Sequence, residues 1–311
     1  MASLEEQPPA ERRLGARMSD FEDRYISVGG VRTRYWQAGS EGSTVVLLHG
    51  IGCSVLEWHA NITALAARHR VYAVDLLGCG LTEKPSETYT VPRLAQFVLD
   101  FLSANAIQRA HFAGFSLGGR IALECALVAP ERVSSMVLVA PAGMAREGTL
   151  IHFRLASVPV LGEMLIRPTP PNTKTLWRLA FWDPSFVTAE FVAAKLNLAR
   201  LPGAKAAFLK TLRSGLTWRG LKVSHVNALR AALPTVRAPT LVIWGKQDKF
   251  LSVAHAEVLR RLLPNVQIQI FDACGHLPQI EYAARFNQAT LDFWGKLANA
   301  SGETFAYAAQ V

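Results

Sequence analysis

The sequence predicts an α/β protein with a mostly parallel, doubly wound sheet, helices on both faces, and a helical insertion interrupting it. Three observations carry this. Short continuous apolar runs, such as 44–48 and 133–139, have the length and β-branched content of strands buried on both faces. Segments of helical spacing with short joints separate these runs, which is the alternation a parallel sheet requires. The alternation stops after Pro141 and resumes at Thr240, so the intervening chain is an insertion.

Taken in order, residues 1–20 combine prolines and mixed charges without periodicity and are expected to form a mobile tail. Arg24 to Trp36 alternates around Gly29-Gly30 and predicts a β-hairpin. The strand Thr44 to Leu48 ends in His49-Gly50-Ile51-Gly52, and a helix is expected from Val55 to Ala67. Arg70 to Val74 is the next buried strand, closed by Asp75 and the turn-rich Gly78-Cys79-Gly80. From Pro92, residues Leu94, Ala95, Val98, Leu99 and Leu102 recur on one helical face, with Gln96, Asp100 and Ser103 opposite. A strand then leads into Ser116, a helix follows it, and Val133 to Val139 forms another strand. Residues 143–233 hold helix-like apolar segments broken by Pro159, Pro168, Pro170-Pro171, Pro184 and Pro202, which suggests a helical lid. The sheet resumes with Thr240 to Trp244, followed by a helix from Val253 to Leu263. Val266 to Phe271 alternates apolar residues with Gln, as an edge strand does. The last helix carries Phe286, Ala289, Phe293, Trp294 and Leu297 on one face. The core is thus 21–142 plus 234–298, the lid 143–233, and 299–311 a frayed tail.

With 311 residues, 50% hydrophobic and 18% charged, the chain can bury one large core plus a subdomain. No apolar run reaches the roughly 18 residues of a membrane span, and residues 1–20 lack a signal-peptide apolar core, so the default location is cytoplasmic. Four cysteines without Cys-x-x-Cys or Cys/His ligand spacing make neither a disulfide framework nor a zinc site, and no metal or cofactor is expected.

The chemistry centres on Gly114-Phe115-Ser116-Leu117-Gly118-Gly119. Glycines two before and two after a serine, at a strand-to-helix turn, suit a nucleophile held in a strained backbone where side chains would strike the neighbouring strand and helix. The helix begins at Leu117, so its N–H and the positive end of the helix dipole face any oxyanion beside Ser116. Asp248 and His276 likewise follow strands. In an open α/β sheet, residues past the carboxyl ends of strands share one crevice, which brings these distant residues together.

These motifs resemble the α/β-hydrolase family from the hairpin near Tyr25 to the helix ending near Leu297. The resemblance rests on His49-Gly50-Ile51-Gly52 with Trp58 nearby, Asp75 to Thr82 followed by Lys84-Pro85, and Gly114 to Gly119. Trp244-Gly245-Lys246-Gln247-Asp248 and Gly275 to Glu281 complete it. It implies an eight-stranded sheet and a triad in the order Ser116, Asp248, His276. His276 would take the Ser116 proton and return it to the leaving group, while Asp248 orients the imidazole. By the same analogy the oxyanion hole is the N–H of Leu117 plus that of Ile51. Asp272 lies on the strand that supplies the histidine and is set aside for Asp248 on family position. Asp75 is read as a structural turn acid and His49 as a structural hydrogen-bonding histidine. His59, His69, His111, His152, His225 and His255 have no motif around them and are read as structural or solvated.

A serine at this turn excludes the family members that use aspartate there, the haloalkane dehalogenases and epoxide hydrolases, and points to an acyl-enzyme. The sequence resembles esterases, enol-lactonases and C–C bond hydrolases of ring-fission products. Phe115 and Leu277 stand where the C–C enzymes usually carry asparagine and tryptophan, so ester cleavage comes first, with C–C hydrolysis, lactone hydrolysis and perhydrolysis as alternatives. The reading from another class is a ligand receptor of the same fold.

The net charge of +9 has a location. Residues 143–233 carry thirteen Lys/Arg against four Asp/Glu, a surplus of nine, while the rest of the chain balances at twenty each. Mixed with Leu155, Val160, Met164, Trp177 and Trp182, such a lid fits a carboxylate-bearing substrate of a small apolar pocket, peripheral contact with an anionic membrane, or a solvated basic surface. No nucleic-acid motif accompanies the charge, and nucleic acid is not an expected partner. The oligomeric state is left open.

Overall fold

A computed structural model describes residues 21–146 and 149–301. The expected tail 1–20, residues 302–311 and Glu147 of the lid charge count lie outside the described residues. Ten strands and twelve α-helices form the described chain. The strands are β1 (Arg24–Val28), β2 (Val31–Ala38), β3 (Thr44–Leu48), β4 (Arg70–Val74), β5 (Ala110–Phe115), β6 (Val133–Val139), β7 (Leu216–Thr217), β8 (Gly220–Leu221), β9 (Thr240–Gly245) and β10 (Val266–Phe271). The helices are α1 (Ile62–Ala66), α2 (Val91–Ala104), α3 (Leu117–Val128), α4 (Ile151–Ala156), α5 (Leu161–Leu165), α6 (Pro170–Ala180), α7 (Ala189–Ala199), α8 (Ala204–Gly215), α9 (Val223–Ala232), α10 (His255–Leu262), α11 (Pro278–Glu281) and α12 (Ala283–Ser301).

Eight strands form one sheet in the order β1-β2-β4-β3-β5-β6-β9-β10. The β1–β2 and β2–β4 pairs are antiparallel, and all other neighbours in it are parallel. The two-residue period of a strand splits the core cleanly. Val46 and Leu48 of β3 pack with apolar residues of α2, α3 and α10, whereas Val45 and Leu47 pack with those of α1 and α12 on the opposite face. Both faces of β3 and β9 are therefore buried, which explains their uninterrupted apolar runs.

Three sequence expectations differ from the structure. The helix expected over Val55 to Ala67 is a single 3₁₀ turn, Val55–Trp58, and then α1. Ser54 and Glu57 close a capping box around that turn, Asp75 accepts from the Val55 N–H, and the chain runs on through i→i+3 bonds (His59 N to Leu56 O, Asn61 N to Trp58 O) before α1 begins. Pro278–Glu281 forms a short helix that apolar spacing did not signal. The last helix continues through Ser301, beyond the boundary at 298.

Between β6 and β9 the chain runs through α4 to α9 and the small β7–β8 hairpin. Pro159, Pro168 and Pro202 fall between these helices, and Pro170 occupies the first turn of α6, where a missing N–H costs nothing. No helix among the described residues is long and apolar enough to cross a membrane.

Candidate active site

Ser116 sits between β5 and α3 with φ 54° and ψ −113°, a conformation that a residue with a Cβ adopts only under constraint. The surroundings supply that constraint. The Ser116 N–H donates to Val139 O at 2.8 Å, and Ser116 O accepts from Ala142 N at 3.0 Å and Arg120 N at 3.2 Å. A Cβ on Gly114 would come within 2.5 Å of Gly118 O, and one on Gly118 within 2.2 Å of Leu48 O. Both glycines are thus required by backbone-to-backbone approach, as the motif implied.

His276 follows β10 and Asp248 follows β9. The His276 Nδ1–H donates to Asp248 Oδ2 at 2.6 Å, with both side chains buried. Three further N–H groups hold the carboxylate. Phe250 N and Leu251 N donate to Oδ1 at 2.7 and 2.9 Å, and Trp244 Nε1 donates to Oδ2 at 3.0 Å. The imidazole is flanked by the rings of Phe115 and Phe250, with centroids at 4.8 and 5.1 Å. With Nδ1 committed to Asp248, Nε2 is the free basic nitrogen.

The two amides expected to receive an oxyanion are oriented by what holds the carbonyls of the same peptide units. A trans peptide directs its N–H opposite its C=O. Gly50 O accepts from His49 Nδ1 at 2.7 Å and Cys53 N at 3.3 Å, which turns the Ile51 N–H away from both. Ser116 O is held as described above, and the Leu117 N–H is turned likewise. Among the described residues neither Ile51 N nor Leu117 N has an acceptor, and both residues line the same cavity as Ser116 and His276. His49 has a structural place. Its Nε2 accepts from Leu76 N at 2.9 Å, and burial drives its pKa down to about 3, so it stays neutral.

The other acids fall elsewhere. Asp75 is fully buried, pairs with Arg34 at 3.3 Å and accepts from Val55 N and Leu81 N, while burial raises its pKa. Asp272 lies at the surface beside Lys246, at 2.7 Å. Neither lines the cavity.

That cavity, of about 620 Å³, lies between the carboxyl ends of the strands and the 149–226 segment. Its wall is mostly apolar, with Phe153, Trp177, Phe208 and Phe250 prominent, and it includes the cations Lys84, Arg120, Arg167, Lys195 and Lys205. His152 and His225, which no motif marked, also line it.

Spacing did not reveal two buried acids near the site. Glu57 caps its own turn through Ser54 N at 2.8 Å and pairs with Lys195 of α7, whose pKa burial lowers to about 8. Glu281 accepts from Gly275 N at 2.7 Å, next to His276, and from Trp182 N at 2.7 Å, just past α6. Burial pushes its pKa up to about 7 against the pull of these N–H donors. Glu57 is one residue before Trp58, and Glu281 ends a quoted motif, but the partners that tie them to the insertion, Lys195 and Trp182, are 138 and 99 residues away. A single sequence carries no signal for that pairing.

Residues 43–283 match the family model for the alpha/beta hydrolase fold. The chain is 33% identical over 287 residues to a 2-hydroxy-6-oxononadienedioate/2-hydroxy-6-oxononatrienedioate hydrolase of Paraburkholderia phymatum, covering 88% of this chain and 96% of the relative. Among solved structures it is similar to a meta-cleavage product hydrolase from Pseudomonas fluorescens IP01, at 27% identity and TM-score 0.76, covering 88% and 98% of the two chains. It is also similar to a putative lipase from Acinetobacter baumannii AYE, at 26% identity and TM-score 0.80, covering 96% and 99%.

Proposed function

The chain belongs to the α/β-hydrolase family, and from that premise we propose that it is a serine hydrolase cleaving carboxylic esters of small apolar substrates through an acyl-enzyme. The observation that carries this reading is the constrained Ser116 turn opening on the same cavity as the His276–Asp248 pair.

In the first step Ser116 Oγ attacks the ester carbonyl carbon and its proton passes to His276 Nε2. Asp248, held by four N–H donors, keeps Nδ1 protonated and stabilises the imidazolium. The oxyanion is received by the N–H groups of Ile51 and Leu117 at the positive end of α3. Collapse expels the alkoxide, which takes the proton from His276 and leaves as the alcohol. Water then attacks the acyl-serine, giving its proton to His276, and Ser116 recovers that proton as the carboxylic acid departs.

Two apolar neighbours of the reacting groups support ester over C–C cleavage. Phe115 and Leu277 are buried and add no polar group beside Ser116 or His276. C–C bond hydrolysis of an acidic ring-fission product is the second reading. It is favoured by the named relatives and by Arg120 and Arg167 in the cavity wall, which suit a carboxylate.

The test pairs a fluorophosphonate label with turnover assays on p-nitrophenyl esters of increasing chain length and on a 2-hydroxy-6-oxo ring-fission acid. Label on Ser116 with repeated ester turnover, both lost in Ser116→Ala, is the expected result. A higher kcat/KM on the ring-fission acid would move the assignment to C–C hydrolysis. Labelling without turnover of any substrate would leave a receptor.

A further inference from the structure

Of the eleven large apolar residues exposed among the described residues, only Tyr25, Val128 and Ile270 lie outside 151–223. The exposure is therefore a property of the segment between β6 and β9, the cap, and three of these residues gather at one tip of it. Helix α4 packs against both α5 and β7. A shallow groove between the α4–α5 turn and the β7–β8 hairpin is lined by Val158, Pro159 and Trp218. Around it stand Leu155, Val160 and Trp218, the last two 72% and 57% exposed.

Val160 is the sharpest of these. Its φ of 66° is a left-handed conformation that a β-branched side chain resists, yet its side chain points to solvent rather than into a core. It is the most exposed of the large apolar residues among the described residues, and an apolar residue exposed in strained backbone gains nothing from folding itself.

Cations surround the tip. Arg154 Nε donates to Trp218 O at 2.9 Å, the Arg219 guanidinium lies 4.8 Å from the Trp218 ring, and Arg146 Nε donates to Arg219 O at 3.2 Å. They contact main-chain oxygens and a ring, and among the described residues none of the three pairs with a carboxylate. The nearby acid on α5, Glu163, is already held by Arg213 at 2.7 Å. Met164 and Leu165 of the same helix are exposed and also line the active cavity, so the tip is continuous with the cavity rim.

We infer that this tip, formed by the α4–α5 turn and the β7–β8 hairpin, docks on an anionic phospholipid bilayer and so sets the mouth of the active cavity against the lipid. An exposed tryptophan beside arginines matches the apolar-over-anionic layering of a bilayer interface. A second copy of the chain fits less well, because a two-fold contact between identical tips would set Arg219 and Arg154 against themselves. The inference holds whichever carbonyl bond the cavity cleaves.

The test is sedimentation of the full chain with phosphatidylcholine vesicles, with and without phosphatidylglycerol. Retention on the anionic vesicles, weakened by salt, and little retention on the neutral ones is expected. Trp218→Ser and Val160→Ser should each weaken it about tenfold, and Arg219→Gln about fivefold. None of the three residues lines the cavity, so turnover of p-nitrophenyl acetate should be unchanged in all of them, which also reports that they fold. Equal retention on both vesicles, or variants that bind like the parent, would overturn the inference. Sedimentation velocity showing a dimer that Trp218→Ser dissolves would overturn it in favour of self-association.

Discussion

The carboxyl edge of the sheet and the cap that covers it are built on opposite terms. At the edge the candidate reacting groups are each held by short bonds: Ser116 by Val139 and Ala142, Asp248 by Phe250, Leu251 and Trp244, and the Ile51 peptide by His49. The cap meets that edge through apolar packing, with Phe181, Val187, Phe191 and Val192 in the same cluster as Phe115 and Leu277, and through a few long-range polar ties. Lys195 reaches Glu57, Glu281 reaches Trp182 and Asp183, and Ala180 O accepts from His276 N at 2.6 Å. Geometry at the edge is thus over-determined by directional bonds, whereas cap placement rests on non-directional apolar packing with a few buried polar ties added. The first suits chemistry that tolerates little displacement, and the second suits a part that shapes the cavity.

The largest effect should come from breaking the edge at its reacting groups. Ser116→Ala and His276→Ala are each expected to lower kcat by a thousandfold or more with the melting temperature unchanged, and Asp248→Asn to be similarly severe. Near-parental turnover in Ser116→Ala would remove the proposed mechanism.

Cutting a cap tie should damage stability before chemistry. Lys195→Met leaves Glu57 buried and unpaired, which costs about 3–5 kcal/mol in denaturant unfolding. Replacing both partners, as Glu57→Gln with Lys195→Met, should recover most of that loss. If the double variant is no more stable than Lys195→Met, the pair is not what joins α7 to the core.

The second tie adds a pH dependence. Glu281 has its folded pKa raised by burial from 4.5 to about 7, so the protonated form is the one the fold favours. Its contribution is full below 4.5 and is lost as pH climbs through about 7, to the extent of about 3 kcal/mol at most. Glu281→Gln cannot ionise, and over that interval its unfolding free energy should fall less than the parent's. Parallel curves for the two proteins would show that Glu281 does not titrate there.

The smallest effect separates the two candidate acids. Asp272→Asn touches only an exposed pair with Lys246, worth less than about 1 kcal/mol. Activity within twofold of the parent is expected, against the collapse in Asp248→Asn, and a comparable loss in both would reverse the assignment of Asp248.

The core and the edge were legible in the sequence because their signals are local. Period-two burial explains why Val45 to Leu48 read as one apolar run, and close backbone approach explains why Gly114 and Gly118 flank Ser116. Asp248 and His276 each end a parallel strand, and parallel strands share one crevice, but Asp75 and Asp272 follow such strands too, and Asp248 was preferred to Asp272 by the family resemblance. The helix expected over Val55 to Ala67 breaks before α1 at Asn61, whose side chain donates to Gln279 O and Asn287 Oδ1, 218 and 226 residues on, a pairing that local spacing does not record.

By its own spacing and composition, then, the chain determined the sheet, the serine turn and the concentration of positive charge in 143–233. Only the tertiary structure decided which carboxylates face which N–H groups, that Lys195 meets Glu57, and that Trp218 and Val160 share one exposed tip. Those pairings join residues separated by tens to hundreds of positions. Their partners are chosen by how elements pack, and helical or strand periodicity holds no record of that choice.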